Sequence, residues 1–198
     1  RDCLLSRGLG DVYKRQMLEI AMEKRIESGH DILYLLQNMQ EFELYGTVRA
    51  IVSVCDCVNY VTEKNELQEV FRLVNNYLDP QGIFIFDFNT EYKYREVLGN
   101  QVIAEDRDEC SFIWENYYNH TSMINEYELT LFVREDEEAS LYRKYQESHF
   151  QKAYTLREMR GLLEKAGLKF VAAYDAYTKK APMYTSERIT VIAREYGK

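Results

Sequence analysis

Apolar residues along this chain recur with two periods, and the points where one period gives way to the other divide it into elements. Between Met17 and Ser28 the spacing of Met17, Ile20, Ala21 and Ile26 suits an amphipathic helix closed by Gly29. DILYLL at 31–36 and VRAIVSVCD at 48–56 are near-continuous apolar runs, as strands covered on both faces require. Thr62 can cap a helix that carries Leu67, Val70, Phe71, Val74 and Leu78 on one face and ends at DPQG, 79–82. IFIFDFN at 83–89 reads as a third buried strand. Strand, helix, strand in this order predicts parallel pairing through right-handed crossovers, so the first half is α/β.

From residue 111 the period changes. Segments 111–118, 124–134 and 141–151 alternate polar and apolar positions with no helix signal between them, which predicts an antiparallel meander with one wet face. Within EYELTLFV, Tyr127, Leu129, Leu131 and Val133 share a side. A helix resumes over 155–166, with Leu156, Met159, Leu162, Leu163 and Ala166 inward and Gly167 as its stop. Two last strands, 168–177 and 187–194, are expected to pair as a long-looped hairpin at the sheet edge. With two prolines, no repeat and no linker, one domain is expected over 17–198.

Composition narrows the partners. The 198 residues are 46% hydrophobic and 29% charged, ordinary for a globular core. Apolar runs such as IFIF are too short to span a bilayer and no secretory start is visible, so a cytoplasmic protein without a membrane partner is expected. A net charge of -8, with EDRDE at 105–109 and EDEE at 135–138, would repel a phosphate backbone, which disfavours nucleic acid. Cysteines at 3, 55, 57 and 110 and histidines at 30, 120 and 149 show no zinc-ligand spacing, so no metal is expected and the thiols read as reduced.

Ligands of open α/β sheets bind beyond the carboxyl ends of the strands. That rule selects QNMQEF, CDCVNY and DFNTEY, and with them Asn38, Asp56, Asn59, Asp87 and Asn89. CDCVNY reads as a ligand loop, with a simple turn cap at Asp56 as the equal alternative. On the meander, Arg143, Tyr145, Glu147 and His149 recur at period two and share a face. His149 can take a proton and Glu147 can orient it or bind an amine, while a solvated face with an exposed ion pair is the competing reading. Trp114, Tyr117 and Tyr118 are candidates for a substrate pocket or for core.

MLEIAMEK, YLLQNMQEFEL, VSVCDCVNYV, VFRLVNNYLDPQGIFIFDFNT and FIWENYY, followed by QESHFQKAY and EKAGL, resemble class I S-adenosylmethionine-dependent methyltransferases of the small-molecule type. The resemblance runs from about Met17 to the C-terminus. It implies a partial Rossmann-like sheet with a C-terminal antiparallel hairpin, and residues 111–151 as an inserted meander forming a substrate lid. It implies S-adenosylmethionine as cofactor and methyl transfer to oxygen, nitrogen or carbon of a small molecule. Asn38, where the family usually has aspartate, would hold the adenine amino group, with the Met39 backbone against the ring. Cys55 and Asp56 would lie beside the methionine portion, and Asn59 and Tyr60 would shape the floor near the methyl. His149 and Glu147 are then the catalytic candidates, and Arg143, Tyr145 and Trp114 the substrate-binding ones. Arg49 departs from the family, where an acid commonly opens this strand.

The family also places a glycine-rich turn and an acidic ribose-binding residue ahead of the helix at Met17. Here only RGLGD offers a lone GxG at Gly8 and Gly10, and Asp11 falls one residue early. The segment RDCLLSRGLGDVYKRQ resembles an assembly junction on a truncated gene and is set aside as non-native. Such a chain is expected to be inactive, to bind the cofactor below any useful affinity and to be poorly stable, with the 31–36 strand either paired to 48–56 or left unpaired. Two other functions compete: another nucleotide-using α/β enzyme such as a dehydrogenase, which the lack of a dinucleotide fingerprint weakens, and a non-catalytic binding module. Binding of S-adenosylhomocysteine separates the three.

Overall fold

The computed structural model describes residues 2–4, 11–136 and 141–198, with side chains over 17–136 and 141–198. Gly8 and Gly10 of the lone GxG, and Glu137 and Glu138 of the second acidic cluster, lie outside the described residues. The chain opens with Asp2–Leu4 (β1), helix Asp11–Ser28 (α1) and Ile32–Tyr34 (β2). Val48–Ser53 (β3), helix Lys64–Tyr77 (α2) and Leu78–Asn89 (β4) follow. Val102–Glu105 (β5), Cys110–Asn119 (β6), Ile124–Asp136 (β7) and Leu141–Lys152 (β8) come next. Helix Leu156–Lys165 (α3), Leu168–Asp175 (β9) and Arg188–Glu195 (β10) complete the fold.

The main sheet has the order β3-β4-β10-β9. β3 and β4 are parallel through the α2 crossover, and β10 runs antiparallel to both β4 and β9. Alternate residues of β4, namely Phe84, Phe86 and Phe88, point to one face and are fully buried. Against them pack Leu67, Val70, Phe71 and Val74 of α2 and Met159, Leu162 and Leu163 of α3. The start of α3 is fixed by a capping box in which Thr155 and Glu158 satisfy each other's backbone amides. Gly82 is required where β4 passes β3, since a Cβ there would lie 2.9 Å from the Asp79 carbonyl oxygen.

β5-β6-β7-β8 form a second, wholly antiparallel sheet, the expected meander extended by one short strand. A wide helical turn, Lys93–Leu98, seats buried Tyr94 and Leu98 against Tyr118 and Ala153 and so ties β4 to this sheet.

Three expectations change. α1 begins at Asp11, inside the segment set aside as a junction. The strand expected over 31–36 shortens to β2, which neither joins β3 nor stays unpaired but takes β1 as a parallel partner. The main sheet is covered by helices on one face only: Val52 is 60% exposed, and Ile83, Ile85 and Ile192 on the same face are half-buried. α1 packs beside β2 instead of lying over that face, and leaves Met17, Ile20 and Ile26 largely exposed.

Candidate functional site

Beyond the carboxyl end of β3 the chain turns through Cys55 and Asp56, at φ 62° and 51°. Two successive non-glycine residues in the left-handed region cost energy and persist only where the surroundings hold them. Asp87, near the end of β4 and 3% exposed, supplies that hold. Its carboxylate accepts from the Cys55 amide at 3.2 Å and from the Asp56 amide at 2.7 Å. Arg188, at the start of β10, donates to Asp56 Oδ1 at 2.6 Å and to Asp87 Oδ2 at 3.4 Å. The other Asp56 oxygen accepts from Gln151 Nε2 of β8 at 2.6 Å, and Gln151 Oε1 accepts from the Tyr94 hydroxyl at 3.2 Å. Burial pushes the Asp56 carboxyl above its ordinary range against the pull of Arg188 and Gln151. At Arg188 burial opposes the charge, but the two carboxylates outweigh it and raise its pKa.

A 3-10 turn, Cys57–Tyr60, follows. Asn59 is fully buried and its amide is spent inside the protein, donating to the carbonyls of Asn89 at 3.0 Å and Lys152 at 2.8 Å and accepting from the Asn89 amide at 2.9 Å. It therefore stitches this turn to the ends of β4 and β8. The Tyr60 and Tyr127 hydroxyls are 2.7 Å apart, and burial raises the pKa of both. Burial pushes the Cys57 thiol up to about 11.

The inner face of the second sheet closes the site from above. His149 stacks on Tyr127 with centroids 4.6 Å apart and meets Tyr60 edge-on at 5.8 Å. Its Nε2 lies 3.2 Å from Glu147, and its Nδ1 is buried without a partner among the described residues. A carboxylate only accepts, so in the neutral ring Nε2 carries the hydrogen and Nδ1 is a bare proton acceptor. Trp114 meets Tyr127 edge-on at 5.7 Å. Trp114 Nε1, Asn116 Nδ2 and Asn125 Oδ1 are likewise buried without partners.

Of the residues singled out in the sequence, Cys55, Asp56, Asn59, Tyr60, Glu147, His149 and Trp114 share this region. Asn38 spends its side chain on its own turn, accepting from the Gln40 amide at 3.2 Å. Gln40 in turn bonds Glu66 in the first turn of α2, which puts Asn38 at the same end of the sheet as the 55–60 turn. Met39 is 8% exposed and packs into the main core. Arg143 and Tyr145 share the face of His149 but stand further along β8, opposite Val133 and Leu131, where Arg143 pairs with Glu135 and Tyr145 is exposed. The pattern missed Gln151, Arg188, Tyr127, Asn116 and Asn125. Gln151 and Tyr127 continue period-two runs already recognised, whereas nothing local marks Arg188.

No family model matches the chain. It is 30% identical over 179 residues to a protein of Geobacillus sp. (strain WCH70) assigned by name to the methyltransferases, spanning 90% of this chain and 72% of that protein. YqeM of Bacillus subtilis (strain 168), assigned by name in the same way, is 29% identical over 175 residues, or 88% of this chain and 69% of YqeM. A solved S-adenosylmethionine-dependent methyltransferase from Clostridium acetobutylicum ATCC 824 superposes with a TM-score of 0.88 at 27% identity, over 100% of this chain and 76% of the other. A likeness that runs through nearly every element described above places this chain in the methyltransferase family.

Proposed function

We propose that the chain transfers the methyl group of S-adenosylmethionine to a small-molecule acceptor, with the cofactor's methionine end at the 55–60 turn and the acceptor on the inner face of the second sheet. The observation that carries this is the charge at the turn: two carboxylates, Asp56 and Asp87, are met by one guanidinium, Arg188. The surplus is negative and lies beside the rings of Tyr60 and Tyr127, surroundings that favour a sulfonium cation. Asn38 Oδ1, which keeps a lone pair beyond the Gln40 amide, and the Met39 backbone would meet the adenine.

The cofactor supplies a methyl on positively charged sulfur, open to in-line displacement by an oxygen, nitrogen or carbon nucleophile. The chain's own part is alignment and exclusion of water. His149 Nδ1 is set to take the acceptor's proton, and Glu147 fixes the ring that presents it. Asn116 and Asn125 bond each other at 3.3 Å and leave one donor and one acceptor over, whichever way round the two amides are set. With the Trp114 ring N–H they suit a neutral acceptor bearing hydroxyl, amine or amide groups.

The test has to register weak binding, down to a Kd of about 1 mM, or about -4 kcal/mol. Amide NMR titration tests the reading at such affinities. Signals of Asn38, Met39 and residues 55–60 are expected to shift with millimolar S-adenosylhomocysteine and to stay fixed with NADH. No shift, or equal shifts with NADH, would reject it.

A further inference from the structure

We infer that Arg188 and Gln151 are positioning residues for the cofactor end of the site, acting together through Asp56. The inference rests on the reading above for what the 55–60 turn holds, and on the structure for how the turn is held. Both Asp56 oxygens are occupied, Oδ1 by Arg188 and Oδ2 by Gln151, each at 2.6 Å. The carboxylate is thus tied to both sheets, with one lone pair of each oxygen given to the protein. What Asp56 contributes is the placement of its backbone, in a left-handed conformation that does not hold itself.

The two partners come from different sheets. Arg188 is the first residue of β10 in the main sheet, and it also reaches Asp87, the acceptor of both strained amides. Gln151 belongs to β8 of the second sheet, is 4% exposed, and is held from behind by Tyr94. A side chain fixed at both ends transmits displacement instead of absorbing it. Movement of the second sheet, which carries the acceptor wall, is thus passed through Gln151 and Asp56 to the amides of Cys55 and Asp56. Asn59, bonded to the Lys152 carbonyl at 2.8 Å, adds a second link beside it.

Hydrogen–deuterium exchange of the whole chain tests this, on wild type, Gln151→Ala and Arg188→Met, each with and without S-adenosylhomocysteine. Both substitutions are expected to speed exchange over residues 53–60 by about tenfold, the effect of losing one charge-assisted hydrogen bond. This is expected although Gln151 and Arg188 lie 95 and 132 positions from Asp56. Acceleration confined to the strand that carries the substitution would overturn the inference. If Arg188→Met speeds exchange everywhere, Gln151→Glu decides, because it keeps the shape and sets a like charge against Asp56. Faster 53–60 with α3 unchanged supports the coupling, and an unchanged 53–60 refutes it. Faster exchange in the variants without protection by S-adenosylhomocysteine in wild type would keep the coupling and remove the cofactor reading.

Discussion

Asp56 holds a charge that its surroundings only partly repay, and this gives the site a pH signature. Burial raises its folded pKa above the ordinary aspartate value, so the folded state binds this proton more tightly than the unfolded one. Its contribution favours folding below the unfolded pKa and is lost as pH rises through the folded one. Asp56→Asn lacks that proton. The stability of wild type relative to Asp56→Asn, from urea midpoints, should therefore fall as pH rises from below the ordinary aspartate pKa through the raised folded one. A gap that widens in favour of wild type over this range would mean that Arg188 overcompensates the burial. At His149 the expectation is kinetic: His149→Ala lowers turnover by about 100-fold and leaves cofactor affinity unchanged, measured as kcat against Kd. Equal loss of both, or of neither, removes His149 from the reaction. The strand-end rule found Asp56 and the alternating pattern found Glu147 and His149, because both signals are local. The partners of Asp56 escaped because they are joined to it only through the folded chain.

Elements were legible in proportion to how much periodic apolar surface they bury. α2 and α3 were read nearly at their observed bounds, since each lays a full stripe on the Phe84, Phe86 and Phe88 row. The α3 cap gives a direct check: Thr155→Ala should cost about 1 kcal/mol in denaturant unfolding, and no change would mean that core packing alone sets the helix start. The Lys93–Leu98 turn was missed because Tyr94 and Leu98 are its only buried residues, too few to mark a period. The run at 31–36 was apolar enough to read as a buried strand, yet β2 lies half-buried beside β1, so composition alone misjudged both its length and its partner.

For the molecule as a whole, the order of five sequence motifs pointed to the family that the relatives show, while the coverage of the sheet did not follow from it. β3 is the edge strand of the main sheet among the described residues, and Val52 and Val171 on its open side and at the far strand are 60% and 47% exposed. An uncovered apolar sheet face favours association. Val52→Lys is expected to raise the monomer fraction in light scattering, and an unchanged distribution would show that this face is not the contact. The proposed seat of the cofactor's methyl at the 55–60 turn is read out by photo-crosslinking with methyl-labelled S-adenosylmethionine followed by tryptic mapping. Cleavage after Arg49 and Lys64 isolates the whole turn in one peptide, residues 50–64. The label is predicted to fall on that peptide and to be displaced by S-adenosylhomocysteine; label elsewhere in the chain, or label that does not compete, would contradict the account.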